Sequence, residues 1–205
     1  MRYVSKIALP MAVALLGLSA SANAVVISGV YNTGVGANGS ALAAGDGQTD
    51  MHYTVVSSDA PGVVAGSNAL TYYNPAYLQD GPLSRSVNAL GNGNGTAGTT
   101  TTFATTFSLA GFDSMNATLS GQALFDNFGE IFLNGNQLGG TITGFGTLSP
   151  FGTNGNFFVA GLNTLSFALH NEGGPEAFQV AGLTVTAAPL AGAVPEPASW
   201  ALMLV

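Results

Sequence analysis

A chain of 205 residues has room for one ordinary domain with a sizeable core, plus targeting segments. Hydrophobic residues make up 47% of it and charged residues only 6%, so hydroxyl and amide groups, not ions, must keep its surface wet. Beyond residue 24 a single arginine, Arg85, stands against ten acidic residues, a formal charge of −9 that excludes nucleic acid as a partner, and the absence of cysteine excludes disulfides and thiolate metal sites.

The first 24 residues, MRYVSKIALPMAVALLGLSASANA, divide into three parts. Arg2 and Lys6 supply a positive start, Ile7 to Leu18 an apolar stretch, and Ala22-Asn23-Ala24 a small-x-small cleavage site that leaves Val25 as the first mature residue. A membrane anchor is the competing reading, but about 12 apolar residues fall short of the roughly 20 needed to span a bilayer. The expectation is a secretory signal handled by the Sec export machinery.

From Val25 to about Ala187 no stretch keeps a helical period. Short β-prone runs recur instead between Gly, Asn and Asp clusters: VVISGVY, HYTVVS, TTFATTFSL, MNATLSGQAL, GEIFLNG, NFFV, NTLSFALHN and FQVAGLTVTA, with weaker ones at NALTYY and GGTITG. Phe103, Phe107 and Leu109 fall on one face of their run, as do Leu165, Phe167 and Leu169 of theirs, the mark of sheets buried on one side. Asn134-Gly135, between GEIFL and NQLGGTI, is the clearest hairpin turn, because both residues tolerate a left-handed backbone. Some eight to ten such strands predict an all-β fold, an antiparallel β-sandwich of the jelly-roll kind.

Several motifs in this body suggest chemistry. GVGANG, Gly34 to Gly39, matches a dinucleotide fingerprint by letter, but GSALAAGDGQTD follows it and is too rich in glycine for the helix that must receive a pyrophosphate; a turn-rich loop is expected. Asp126-Asn127, read as the end of the GQALF strand, fits three roles: an Asx turn, a structural calcium ligand pair, or a ligand contact. Asp46 and Asp50, in DGQTD, form a second, weaker calcium candidate. No other cofactor is expected.

His52 and His170 lack zinc spacing and read as strand-end residues. Tyr72, Tyr73 and Tyr77, in LTYYNPAYLQDG, could form a sugar-stacking platform or could alternate in and out of a strand. Asp126, Glu130, Glu172 and Glu176 are the carboxylates a glycosidase would need, yet the mature body has one Arg, no Trp in its strands and no Gly-x-Ser-x-Gly elbow, so no catalytic residue is assigned. The Asn-x-Ser/Thr matches at Asn38, Asn94 and Asn116 and the threonine run Thr99 to Thr102 read as ordinary turn and strand chemistry.

The chain closes on VPEPASWALMLV. Two prolines keep Val194, Pro195, Glu196 and Pro197 extended, and Trp200 is suited to a membrane–water boundary. This stretch resembles the PEP-CTERM sorting signal, in which a Val-Pro-Glu-Pro motif precedes a Trp-led membrane helix and an arginine-rich tail. The resemblance implies recognition by a membrane-embedded exosortase, transient membrane association through this segment, and a final place in the cell envelope or exopolysaccharide of a Gram-negative bacterium. The sequence departs from the pattern by ending five residues after Trp200 with no arginines, which suggests that it is a fragment.

The body carries a looser resemblance. TTFATTFSLAGFDSMNATLSGQALFDNFGEIFLNG, then NFFVAGLNTLSFALHNEGG and AGLTVTA, with YNTGVG and TDMHYTVVS as opening strands, is similar to the galactose-binding-like jelly roll. Together these readings divide the chain into a signal peptide over 1–24, a β-sandwich over 25–188, and a linker with a shortened sorting signal over 189–205. The expected function is that of an exported, non-enzymatic structural or adhesive protein associated with exopolysaccharide. A carbohydrate-binding module is the alternative and a glycoside hydrolase the more remote one.

Overall fold

The structure is a computed structural model, and it describes residues 23–78 and 81–190. Ala22 and the motif Val194, Pro195, Glu196, Pro197 and Trp200 lie outside the described residues. Among the described residues ten strands follow in order: β1 (Val25–Val26), β2 (Thr49–Ser58), β3 (Asn68–Thr71), β4 (Val87–Asn88), β5 (Thr99–Ser108), β6 (Thr118–Leu133), β7 (Asn136–Gln137), β8 (Ile142–Asn154), β9 (Leu162–Asn171) and β10 (Ala177–Ala187). Among the described residues one 3-10 turn, Ser114–Asn116, is capped by Asp113, whose carboxylate accepts from Met115 N.

Every strand pair is antiparallel, and the pairings close on themselves: β10, β4, β3, β2, β5, β9, β6 and back to β10. The result is an all-β, antiparallel sandwich, with the β10–β4–β3–β2 and β5–β9–β6 strands joined through β2–β5 and β6–β10. Strand β6 pairs with both groups. Its first half, Thr118 to Asp126, pairs with β10; its second half, Phe128 to Leu133, pairs with β9. Asp126-Asn127 therefore marks a corner inside one 16-residue strand rather than a strand end, and the peptide joining the two residues is cis.

The core explains why the layers hold. Tyr53, Phe103, Phe125, Phe167 and Phe178 are fully buried. The Phe178 ring lies 4.8 Å from Phe103, 5.5 Å from Phe167, 5.9 Å from Phe125 and 6.0 Å from Tyr53, so one side chain of β10 touches rings from β2, β5, β6 and β9. Alternation supplies these rings: odd-numbered residues of β5 and β9 point inward and even-numbered ones outward.

Other expectations need correction. VVISGVY is a strand only over Val25–Val26, since Gly29 turns the chain at φ +80°. NFFV is a loop, with Phe157 itself in the left-handed region at φ 72°. GGTITG is the start of the longer β8, which continues through Pro150 because it pairs only with β6 among the described residues, and an outer strand tolerates proline. Val87–Asn88 was not anticipated as a strand. The Asn134-Gly135 hairpin is present, with φ 51° and 81° as a two-residue primed turn requires. GVGANG is the expected turn-rich loop.

Gly129 follows the corner of β6, and a Cβ there would collide with the Phe125 ring and lie 2.6 Å from Ala168 O. Gly129→Ala should destabilise the fold by about 1–3 kcal/mol through overpacking, read as a lowered thermal midpoint, whereas Gly140→Ala, with open space around it, should not.

Candidate functional site

The outer face of the β5–β9–β6 layer follows from strand register. Thr100 stands opposite His170, and His170 opposite Phe128; Thr102 stands opposite Ala168, and Ala168 opposite Glu130; Ala104 stands opposite Ser166, and Ser166 opposite Phe132. Small hydroxyl and methyl side chains thus floor the face, with Phe128, Phe132 and His170 along one side. Phe132 and Phe128 are only half-buried, unlike the inward rings.

A chain of hydrogen bonds crosses the end of this face. His170 Nε2 lies 2.6 Å from Glu130 Oε2, and His170 Nδ1 lies 2.8 Å from Thr100 Oγ1. Thr141 donates to Glu130 Oε1 at 3.1 Å. A carboxylate only accepts, so the proton of the first bond sits on Nε2 and points to Glu130, while Nδ1 and the Thr100 hydroxyl share the second bond. Phe128 stacks on His170 with ring centroids 4.6 Å apart and planes 9° apart. The side chains of His170 and Glu130 remain 28% and 19% exposed, enough to meet a ligand while being held in place. Ser57, Ser58, Asp59, Thr100 and Thr102 line a shallow recess of about 330 Å³ beside Thr100.

The sequence candidates divide between this face and a buried seam. Asp126 Oδ2 accepts from the Tyr77 hydroxyl at 2.6 Å, and Asn127 Oδ1 accepts from Glu172 N at 2.6 Å. The Asp126 and Asn127 side-chain oxygens considered as calcium ligands thus accept from different partners. Glu176, 1% exposed, adjoins Asp126, 4% exposed. Burial first, and then the nearby Asp126 charge, push the Glu176 carboxyl up to about 7. Burial also raises Asp126, against the lowering effect of the Tyr77 hydrogen bond. Tyr77 is itself raised, by burial and then by its bond to Asp126. Among the described residues, Asn171 Nδ2 and Glu176 Oε2 are buried without a hydrogen-bond partner, and both press against Gly95, where a Cβ would not fit.

The three tyrosines do not form one platform. Tyr77 is buried; Tyr72 lies over Gly93, edge-on to Tyr77 at 5.9 Å, and its hydroxyl accepts from Asn74 Nδ2. Tyr73 is exposed, with its N–H held by Asp46 Oδ1 at 2.7 Å. Asp50 is fully buried and accepts from Gly34 N and His52 N at 2.7 and 2.8 Å, so it anchors the Gly34 loop and does not converge with Asp46. His52 stacks on Tyr31 at 3.7 Å, with Nε2 against Gly36 O. Ala24 and Val25 lie exposed at the entry to β1.

Of the carboxylates considered for a glycosidase, Asp126 and Glu176 are sealed beneath loops, Glu130 is bound to His170, and Glu172 is exposed. Sequence reasoning considered Glu130 and His170 separately and missed Thr100 and Phe128 as their neighbours. The even-numbered alternation of TTFATTFSL and NTLSFALHN already put Thr100 and His170 on outward faces; the register that joins them to Phe128 was not legible.

No protein-family model matches the chain. No curated protein matches it either. Among solved structures it is similar to a family 11 carbohydrate-binding module from Clostridium thermocellum in complex with a β-1,3-1,4-mixed-linked tetrasaccharide, at 11% identity and a TM-score of 0.36 over 82% of this chain and 96% of that one. It is also similar to the family 11 module of the cellulosomal cellulase Lic26A-Cel5E of the same organism, at 11% identity and TM-score 0.35 over 71% and 97% of the two chains. A third is the CBM36-1 domain of a multidomain xylanase from the hindgut metagenome of Trinervitermes trinervoides, at 13% identity and TM-score 0.30 over 57% and 93%.

Tyr77 is the hydroxyl donor to a buried carboxylate, so Tyr77→Phe should cost about 1.5–3 kcal/mol at neutral pH, measured by denaturant unfolding. Tyr73→Phe, at an exposed ring, should leave the midpoint within about 0.5 kcal/mol of the wild type.

Proposed function

We propose that the protein is an exported, non-enzymatic adhesion module that holds polysaccharide on the outer face of its β5–β9–β6 layer. The observation that carries this reading is the stacked Phe128–His170 pair, with Glu130 and Thr100 fixed at the two ring nitrogens. Aromatic faces receive the C–H side of a sugar ring, while a fixed carboxylate and hydroxyls take its hydroxyl groups. The floor of Thr, Ser and Ala between them leaves room for such a ring.

Charge narrows the partner. Beyond residue 24 the chain carries a formal charge of −9, and Glu130, Asp59 and Glu172 lie on or beside this layer, so hydroxyl-rich neutral glycans fit and uronate polymers do not. Delivery would run through Sec and a cut after Ala24. Val25 opens the first strand by pairing with Ala187, which supports that boundary. Sorting by an exosortase through Val194, Pro195, Glu196, Pro197 and Trp200 belongs to the same proposal and rests on the sequence motif.

Affinity gels containing soluble β-glucan, dextran or galactomannan test the binding face. Retardation in at least one gel is expected, with Phe128→Ala and Glu130→Gln each weakening it about tenfold and Tyr73→Ala leaving it unchanged. Equal retardation of all variants would sink the assignment. Amino-terminal sequencing of the protein recovered outside the cytoplasm of an expressing Gram-negative host should begin at Val25; a chain that begins at Met1 would remove the export step.

A further inference from the structure

The corner of β6 and the end of β9 join the buried seam to the binding face. Asp126 is two residues from Phe128, Asn171 follows His170, and the bond from Glu172 N to Asn127 Oδ1 ties the two strands together at 2.6 Å. Behind them Glu176 N donates to Gly93 O at 3.0 Å, and Asn94 pairs with Pro175, so the 91–98 loop closes over the seam.

Asp126 pairs with Ala177, the residue after Glu176, and both carboxyls are buried from water. From β6 the titratable group facing Glu176 is Asp126; from the 72–78 segment they are Tyr77 and Tyr72; β9 contributes the Asn171 amide, and β4 contributes Asn88, whose Nδ2 donates to Glu176 O at 3.1 Å. The 91–98 loop brings Gly93 and Gly95, which have no side chain. No positive charge is among the influences on either carboxyl. His170 points away, to Glu130, and Arg85 donates to the carbonyls of Leu42, Gly81 and Ser84. Two negative charges at such a place repel and are poorly solvated, so the pair retains a proton that either carboxyl alone in water would lose.

We propose that the Asp126–Glu176 pair is a proton-operated latch: while it holds one proton, the β6 corner is closed and Phe128 and His170 stand in register, and loss of that proton loosens the corner. The control of glycan binding by this latch rests on the function proposed above; the latch itself does not. Both carboxyls titrate higher in the fold than in the unfolded chain, so the fold binds more protons than the unfolded chain above the ordinary carboxylate range. Stability is then fully present below a pH of about 4.5 and is lost as the pH rises through about 7.

The test uses thermal unfolding and amide hydrogen exchange of the whole exported chain at pH 6.0 and 8.5, without glycan. In the wild type the midpoint should fall at the higher pH. Exchange at Phe128 and His170, corrected for the intrinsic pH effect, should rise roughly tenfold. Glu176→Gln should flatten both responses, and Asp126→Asn provides a second variant should the first fail to fold. A pH response that persists in both variants, or one that disappears only in His170→Gln, overturns the latch. A midpoint restored at pH 8.5 by added calcium in the wild type but not in Glu176→Gln also overturns it, because the pair would then be a cation site. In the polysaccharide gels, retardation should weaken roughly tenfold from pH 6.0 to 8.5 in the wild type only. Failure to bind any polysaccharide, with the midpoint and exchange responses intact, would reject the proposed function and leave the latch standing.

Discussion

One strand has to serve two layers, and the rest of the molecule follows from how it does so. β6 leaves β10 at Asp126 and joins β9 at Phe128, so its corner must be fixed on both sides. On the inside, Phe125 stacks on Phe178 at 5.9 Å, and Phe178 reaches the rings of three other strands, which sets the spacing between the layers. At the corner itself, the buried Tyr77 hydroxyl and the backbone N–H of Glu172 bond the side chains of Asp126 and Asn127. The face proposed for binding begins where that corner ends.

The scarcity of charge gives each ionisable group unusual influence. In a typical surface rich in lysine and glutamate, one carboxylate more or less is screened and diluted. Here His170 and Glu130 are the ionisable pair of their face, and Asp126 and Glu176 lie where water does not reach them. The hydroxyls of Thr100, Thr102, Thr106, Thr164 and Ser166 provide the remaining polarity of the layer. Such a surface interacts through hydrogen bonds and ring contacts, which salt affects little, and its pH response concentrates in a few side chains.

Much of the fold was legible because burial writes alternation into a strand. β5, β9 and β10 were readable from Phe103 and Phe107, from Leu165, Phe167 and Leu169, and from Phe178 and Val180, and the Asn134-Gly135 turn from its backbone requirement. β8 was readable only at its start, since an outer strand interrupted by Gly144, Gly146, Pro150 and Gly152 buries little and has no pattern to keep. The corner in β6 misled because Asp-Asn commonly ends strands, and nothing local reveals that a second layer picks the chain up one residue later. The candidate site was legible as ingredients only. Glu130 and His170 are 40 residues apart, and their meeting depends on a register that pairing across three strands decides.

The outer strand that hid from the sequence also shapes how this protein behaves among its neighbours. β8 carries a proline that cannot donate a backbone hydrogen bond, and glycines that leave it without a continuous side-chain row. A neighbouring chain arriving at that border finds no regular ladder to extend. Apart from the two-residue β1 and β7, the other strands close into a ring, which leaves little open edge for a second copy to extend. Its polar β5–β9–β6 face, by contrast, is not a strand edge and stays open however β8 is covered.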